Sequence, residues 1–160
     1  MPKLVKSPKK WLLILVLIFA WLQLHELLHA LVVLVFGYSF TVKFGLVEQV
    51  ICSCSGASYG QIATIASAPY FLDVAAMVLW FFRKGKWTFI IANIAFLDII
   101  LNYAASVFVA LLKMKDGADF LVMALAGYNW LAVAIAAIGA VLAVMMHRKR
   151  VEKLFRKFKK

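Results

Sequence analysis

The chain is predicted to be an all-α polytopic membrane protein with about four transmembrane helices and, after the first of them, a candidate short β-hairpin. Three observations carry that prediction. Hydrophobic residues make up 66% of the 160 and the mean hydropathy is +0.94, whereas soluble domains hold roughly 45–50% apolar residues. The apolar residues gather in four stretches, each near the length of about 20 residues that a bilayer demands. Basic or glycine-bearing breaks separate the stretches. Disorder is excluded by the same apolar content. Four spans with short ends nearly use up the chain, so one integral membrane domain over 1–160 is expected, with no separate soluble domain.

The first span covers 11–36, behind the basic segment MPKLVKSPKK. Its apolar run exceeds the roughly 7–15 residues of a signal-peptide core and no small-residue cleavage site closes it, so it is expected to be a retained helix. Gly37 ends it. In the connection 37–61, Phe40, Val42, Phe44 and Leu46 alternate with Ser39, Thr41, Lys43 and Gly45, the period of a strand. A lone strand needs a partner; a hairpin folded back on the helices and an irregular loop both stay open here. The second span, 62–82, stops at Arg83-Lys84-Gly85-Lys86, and the third, 87–112, before Lys113–Gly117. The fourth, 119–146, is interrupted by Tyr128-Asn129-Trp130, where Asn129 suits an interhelical hydrogen bond. The remainder, 147–160, sets Leu154, Phe155 and Phe158 among basic residues and reads as a basic amphipathic cytoplasmic tail on anionic lipid.

Charge fixes the orientation. The excess of 18 Lys and Arg over 7 Asp and Glu would suggest nucleic acid in a soluble protein, but membrane proteins collect such residues on cytoplasmic ends. Lys3, Lys6, Lys9 and Lys10 precede the first span, Arg83, Lys84 and Lys86 join the second to the third, and the tail carries eight more. Four spans put all of these on one side, leaving only Lys43, Lys113 and Lys115 for the other. Both termini are therefore expected in the cytoplasm. The expected partner of the basic ends is membrane lipid, not nucleic acid.

Polar residues within the spans are few, and a carboxylate near mid-helix costs about 2.5–3.5 kcal/mol on insertion scales. Such groups mark function by default. They are Glu26, Asp73 and Asp98, and Glu26 lies in His25-Glu26-Leu27-Leu28-His29, an HExxH pattern. Residues i and i+4 share one helix face, so two imidazoles can hold one Zn²⁺. Glu26 is turned by about 100° from His25, which suits a general base on the metal's water better than a ligand. A catalytic zinc needs a third protein ligand, and Asp73 and Asp98 are the candidates. At the helical rise, His25 lies ~21 Å, Asp98 ~17 Å and Asp73 ~14 Å into the membrane from the basic side. Depth favours Asp98. Asn102 and Ser106 follow it on one polar stripe, while a hydroxyl such as Tyr70 or Tyr103 would serve Asp73. Cys52 and Cys54 are the only cysteines; they could bind metal or oxidise, but make no four-cysteine site.

HELLH in the first helix, Ala68-Pro69 in the second and Asn93-Ile-Ala-Phe-Leu97-Asp98 in the third together resemble the site-2 protease family of intramembrane zinc metalloproteases. The resemblance covers most of residues 20–106. It implies a three-helix metalloprotease-like core, His25, His29 and Asp98 as zinc ligands, and Glu26 as the catalytic residue. The 39–46 segment would be the family's membrane-edge hairpin. The expected function is hydrolysis of a transmembrane or hydrophobic peptide. A membrane protein with a structural or vestigial metal site, and a small metal-ion transporter, are the alternatives.

Overall fold

The computed structural model describes residues 8–43, 49–112 and 118–158. Along the chain run α1 (Pro8–Val35), β1 (Ser39–Lys43), β2 (Gln49–Ser53), α2 (Tyr59–Arg83), α3 (Lys86–Leu111), α4 (Asp119–Leu125) and α5 (Asn129–Phe158). Among the described residues, four helical segments are long and apolar enough to cross a membrane: Trp11–Val35, Tyr59–Arg83, Lys86–Leu111 and Asn129–Arg148. The predicted helical membrane fold with a hairpin after the first helix is therefore present. The strand reading at 44–46 and the basic break at 113–117 lie outside the described residues, as do 1–7 and 159–160 of the basic ends. The chain groups into two compact units, Met1–Pro69 and Tyr70–Lys160.

In the first unit, α1 turns apolar side chains such as Leu15, Phe19, Leu27, Leu31 and Leu34 outward, while His25, His29, Ala30 and Val33 are buried. An outward apolar face of this extent suits lipid, not water. The helix stops in a Schellman motif: Gly37 has φ +77°, its N–H donates to the Leu34 carbonyl, and that of Tyr38 donates to Val33. Only a residue at ease in the left-handed region closes a helix this way, and glycine is that residue. β1 and β2 then pair antiparallel, with Phe40 opposite Cys52 and Val42 opposite Val50. A disulfide joins Cys52 to Cys54, so the oxidised alternative is the one present. α2 opens with a capping box, since the Gln61 N–H donates to Ser58 Oγ and the Ser58 N–H donates to Gln61 Oε1. Those two bonds satisfy donors a helix start leaves unpaired, and they begin α2 ahead of the predicted 62.

In the second unit, α3, α4 and α5 pack on one another. The stretch 119–146, expected as one span, is two helices. Gly127 takes φ +84°, with its N–H on Ala124 and that of Tyr128 on the Met123 carbonyl, so α4 ends in the same motif that ends α1. The short helix is held by its aromatic face: the Tyr70 hydroxyl donates to Asp119 at 2.8 Å, and Phe120 stacks on Tyr70 with ring centres 4.5 Å apart. Of the two hydroxyls expected for Asp73, Tyr70 or Tyr103, that of Tyr70 donates to Asp119. The tail from His147 is helical, but as the continuation of α5 to Phe158 instead of a separate element. A Cβ on Gly139 of α5 would lie 3.2 Å from Ile99 Cδ1 of α3, a close approach of the kind that small residues permit between membrane helices. Gly139→Leu is therefore expected to cost about 1–3 kcal/mol by overpacking. Denaturation of the two proteins in the same detergent checks it.

Candidate metal centre

Helical spacing alone brings the two imidazoles of α1 together. His25 and His29 are both buried, and their Nε2 atoms stand 3.3 Å apart. Two nitrogens bound to one tetrahedral zinc at about 2.0–2.1 Å are necessarily about 3.3–3.4 Å apart. Without an ion, one N–H···N bond accounts for the same spacing. The ring planes stand at 72° with centroids 5.0 Å apart, edge-on instead of stacked.

The other nitrogen of His29 explains a feature of α2. His29 Nδ1 lies 2.7 Å from the backbone carbonyl of Ile65. A carbonyl inside a helix normally accepts from the N–H four residues on, and four residues on from Ile65 is Pro69, inside α2. Proline has no N–H to give. The Ile65 carbonyl is thereby left to accept from Nδ1–H, which fixes the tautomer that turns the Nε2 lone pair toward His25. A ligating histidine commonly donates its second ring N–H to a backbone carbonyl in this way, and losing such a partner typically costs 10–100-fold in metal affinity. Pro69→Ala returns a competing N–H to α2. For a zinc held by these histidines, affinity is then expected to fall by about 10–100-fold with the helix content unchanged, as read by competition with a chromophoric chelator. An unaltered affinity would show that this carbonyl does not orient His29.

Glu26 is half-buried and offers a carboxylate oxygen within 4.8 Å of the nitrogens of His25 and His29. The hairpin reaches it: the Val50 N–H of β2 donates to Glu26 Oε2 at 2.9 Å. His25, Glu26 and His29 thus each bring one potential ligand atom within 4.8 Å of the others.

In the second unit, Asp73 and Asp98 are both buried, and each offers a carboxylate oxygen within 4.8 Å of the other's. Asn102 Nδ2 donates to Asp98 Oδ1 at 2.8 Å, as the polar stripe predicted. Ser106, two turns on, is buried but makes no hydrogen bond through Oγ, so it takes no part in holding Asp98. His147, the third histidine, sits with Nε2 2.9 Å from Asn93 Oδ1 and its ring edge-on to Phe89.

Two groups here escape a reading of side chains. The Ile65 carbonyl and the Val50 N–H are backbone atoms; the first was signalled only by a proline four residues downstream, and the second by nothing local. No family model matches the chain, nor does any curated protein or solved structure.

Proposed function

We propose that the protein is a zinc-dependent hydrolase of peptide bonds within or beside the bilayer. The observation that carries this reading is the 3.3 Å separation of the two Nε2 atoms, together with the bond that orients His29. In this reading His25 and His29 are ligands through Nε2 and Asp98 is the third, as the Leu97-Asp98 resemblance to site-2 proteases implies. Zinc bound there would supply a water acidified to about pKa 7 and a Lewis acid for the peptide carbonyl. Glu26 takes the proton from the attacking water and passes it to the leaving amine.

A transmembrane helix hides its carbonyls, so the segment to be cut must be extended. The hairpin offers a template. The Val50 N–H points to Glu26 and therefore away from β1, so in an antiparallel pair its opposite, Val42, also turns its backbone groups outward. Phe40, two residues earlier, does the same. An extended substrate adds to that edge as a further strand, with its backbone read by hydrogen bonds.

The orientation proposed from charge, with both termini cytoplasmic, sets the hairpin on the opposite side. A Cys52–Cys54 disulfide suits such a compartment, since disulfides persist where the surroundings oxidise.

Metal analysis of protein purified without chelator tests the proposal most directly. About one zinc per chain is the expected result. Stoichiometric absence of metal overturns the hydrolase reading.

A further inference from the structure

The Cys52–Cys54 bridge has no evident structural purpose. It closes a loop of only three residues, and the stabilisation a disulfide draws from restricting the unfolded chain shrinks as the loop shortens. Neither cysteine is buried, so a thiol can approach. The position of the bridge is more telling. Cys52 belongs to β2, two residues beyond Val50; their side chains share the less exposed face of the strand, and the Val50 N–H donates to Glu26 Oε2. In a fully extended strand the Cα atoms of residues i and i+2 stand about 6.4–6.8 Å apart. Those of Cys52 and Cys54 are 5.2 Å apart. The bridge therefore draws the chain in at Ser53, where β2 ends.

We propose that Cys52–Cys54 is a thiol–disulfide exchange site that latches β2 onto Glu26. The co-reactant is a dithiol. One of its thiolates attacks a sulfur of the bridge, breaking the S–S bond and forming a mixed disulfide as the other cysteine leaves as a thiolate. The second thiol of the reductant, deprotonated, then displaces the first cysteine. Two electrons pass to the protein, Cys52 and Cys54 end as thiols after protonation, and the reductant ends as a cyclic disulfide. Once reduced, Ser53 and Cys54 extend, β2 relaxes, and the Val50 N–H lets go of Glu26 Oε2. The oxidised form is the latched one. That the released carboxylate serves hydrolysis rests on the function proposed above; the exchange chemistry and the movement of β2 do not.

The test uses the full chain in lipid nanodiscs, with dithiothreitol as the dithiol. Because the chain has only two cysteines, alkylation counted by intact mass reads the bridge without ambiguity. Native oxidised protein should take up no label, and protein treated with the dithiol, still folded, should take up two. Amide hydrogen exchange at Val50 should accelerate at least tenfold on reduction, with and without added zinc. In Cys52→Ser/Cys54→Ser it should be fast in both conditions and indifferent to the dithiol. Where that variant fails to fold, the oxidised and reduced wild-type proteins decide alone. A bridge that resists the dithiol under native conditions, or a Val50 exchange rate equal in the two forms, overturns the proposal. Neither readout depends on metal or turnover, so a failed latch and a failed hydrolase give different results.

Discussion

Glu26→Gln is expected to retain zinc and to lose peptide hydrolysis by about 10²–10⁴-fold, the usual contribution of a positioned general base. The substitution is informative because it disturbs so little else. The glutamine carbonyl can still accept from the Val50 N–H that now donates to Glu26 Oε2, so the hairpin keeps its contact with α1. His25 and His29 are untouched, and the 3.3 Å Nε2 spacing with them. What disappears is the carboxylate's capacity to take a proton. Cleavage of a hydrophobic helical peptide, followed by mass spectrometry in nanodiscs with metal content measured on the same sample, separates the two effects. Turnover equal to wild type would remove Glu26 from the mechanism; loss of metal alongside activity would recast it as a ligand.

The parts of the molecule legible in advance are those set by a local period. A membrane forces helices to be long and apolar, so α1, α2 and α3 could be read from hydropathy, and β1 from its alternation at Ser39–Lys43. HExxH was legible for the same reason, because a four-residue spacing fixes the face on which two side chains emerge. Hydropathy failed where it averages over a break. Gly127 lies in an apolar run, yet its left-handed backbone divides the run into α4 and α5. Ser58 and Gln61 begin α2 by hydrogen bonding, to which an apolar count is blind. The site shows the same division. Sequence offered Asp73 and Asp98 as rivals at depths about 3 Å apart, but their proximity depends on how α2 and α3 are rotated about their axes. No spacing within either helix encodes that rotation.

His25→Ala and His29→Ala should each reduce bound zinc from about one ion per chain to a level indistinguishable from a metal-free control. Catalytic zinc sites hold the ion with three protein ligands, and removing one histidine leaves a single imidazole on α1. The two variants are not equivalent in what else they lose. His29→Ala also removes the donor to the Ile65 carbonyl, which Pro69 leaves without its helical partner, so α2 should be loosened in that variant alone. Exchange protection near Ile65 would reveal it. Extending the scan to the carboxylates settles the third ligand. Asp98 is held by Asn102, and a ligating carboxylate braced by a hydrogen bond is the usual arrangement at a metal. Asp98→Ala is therefore expected to weaken zinc binding far more than Asp73→Ala, measured by chelator competition on protein of matched helix content. The reverse order would make Asp73 the ligand and leave Asp98 to support it. Equal and complete loss in both variants would show that the two buried carboxylates act on the ion together.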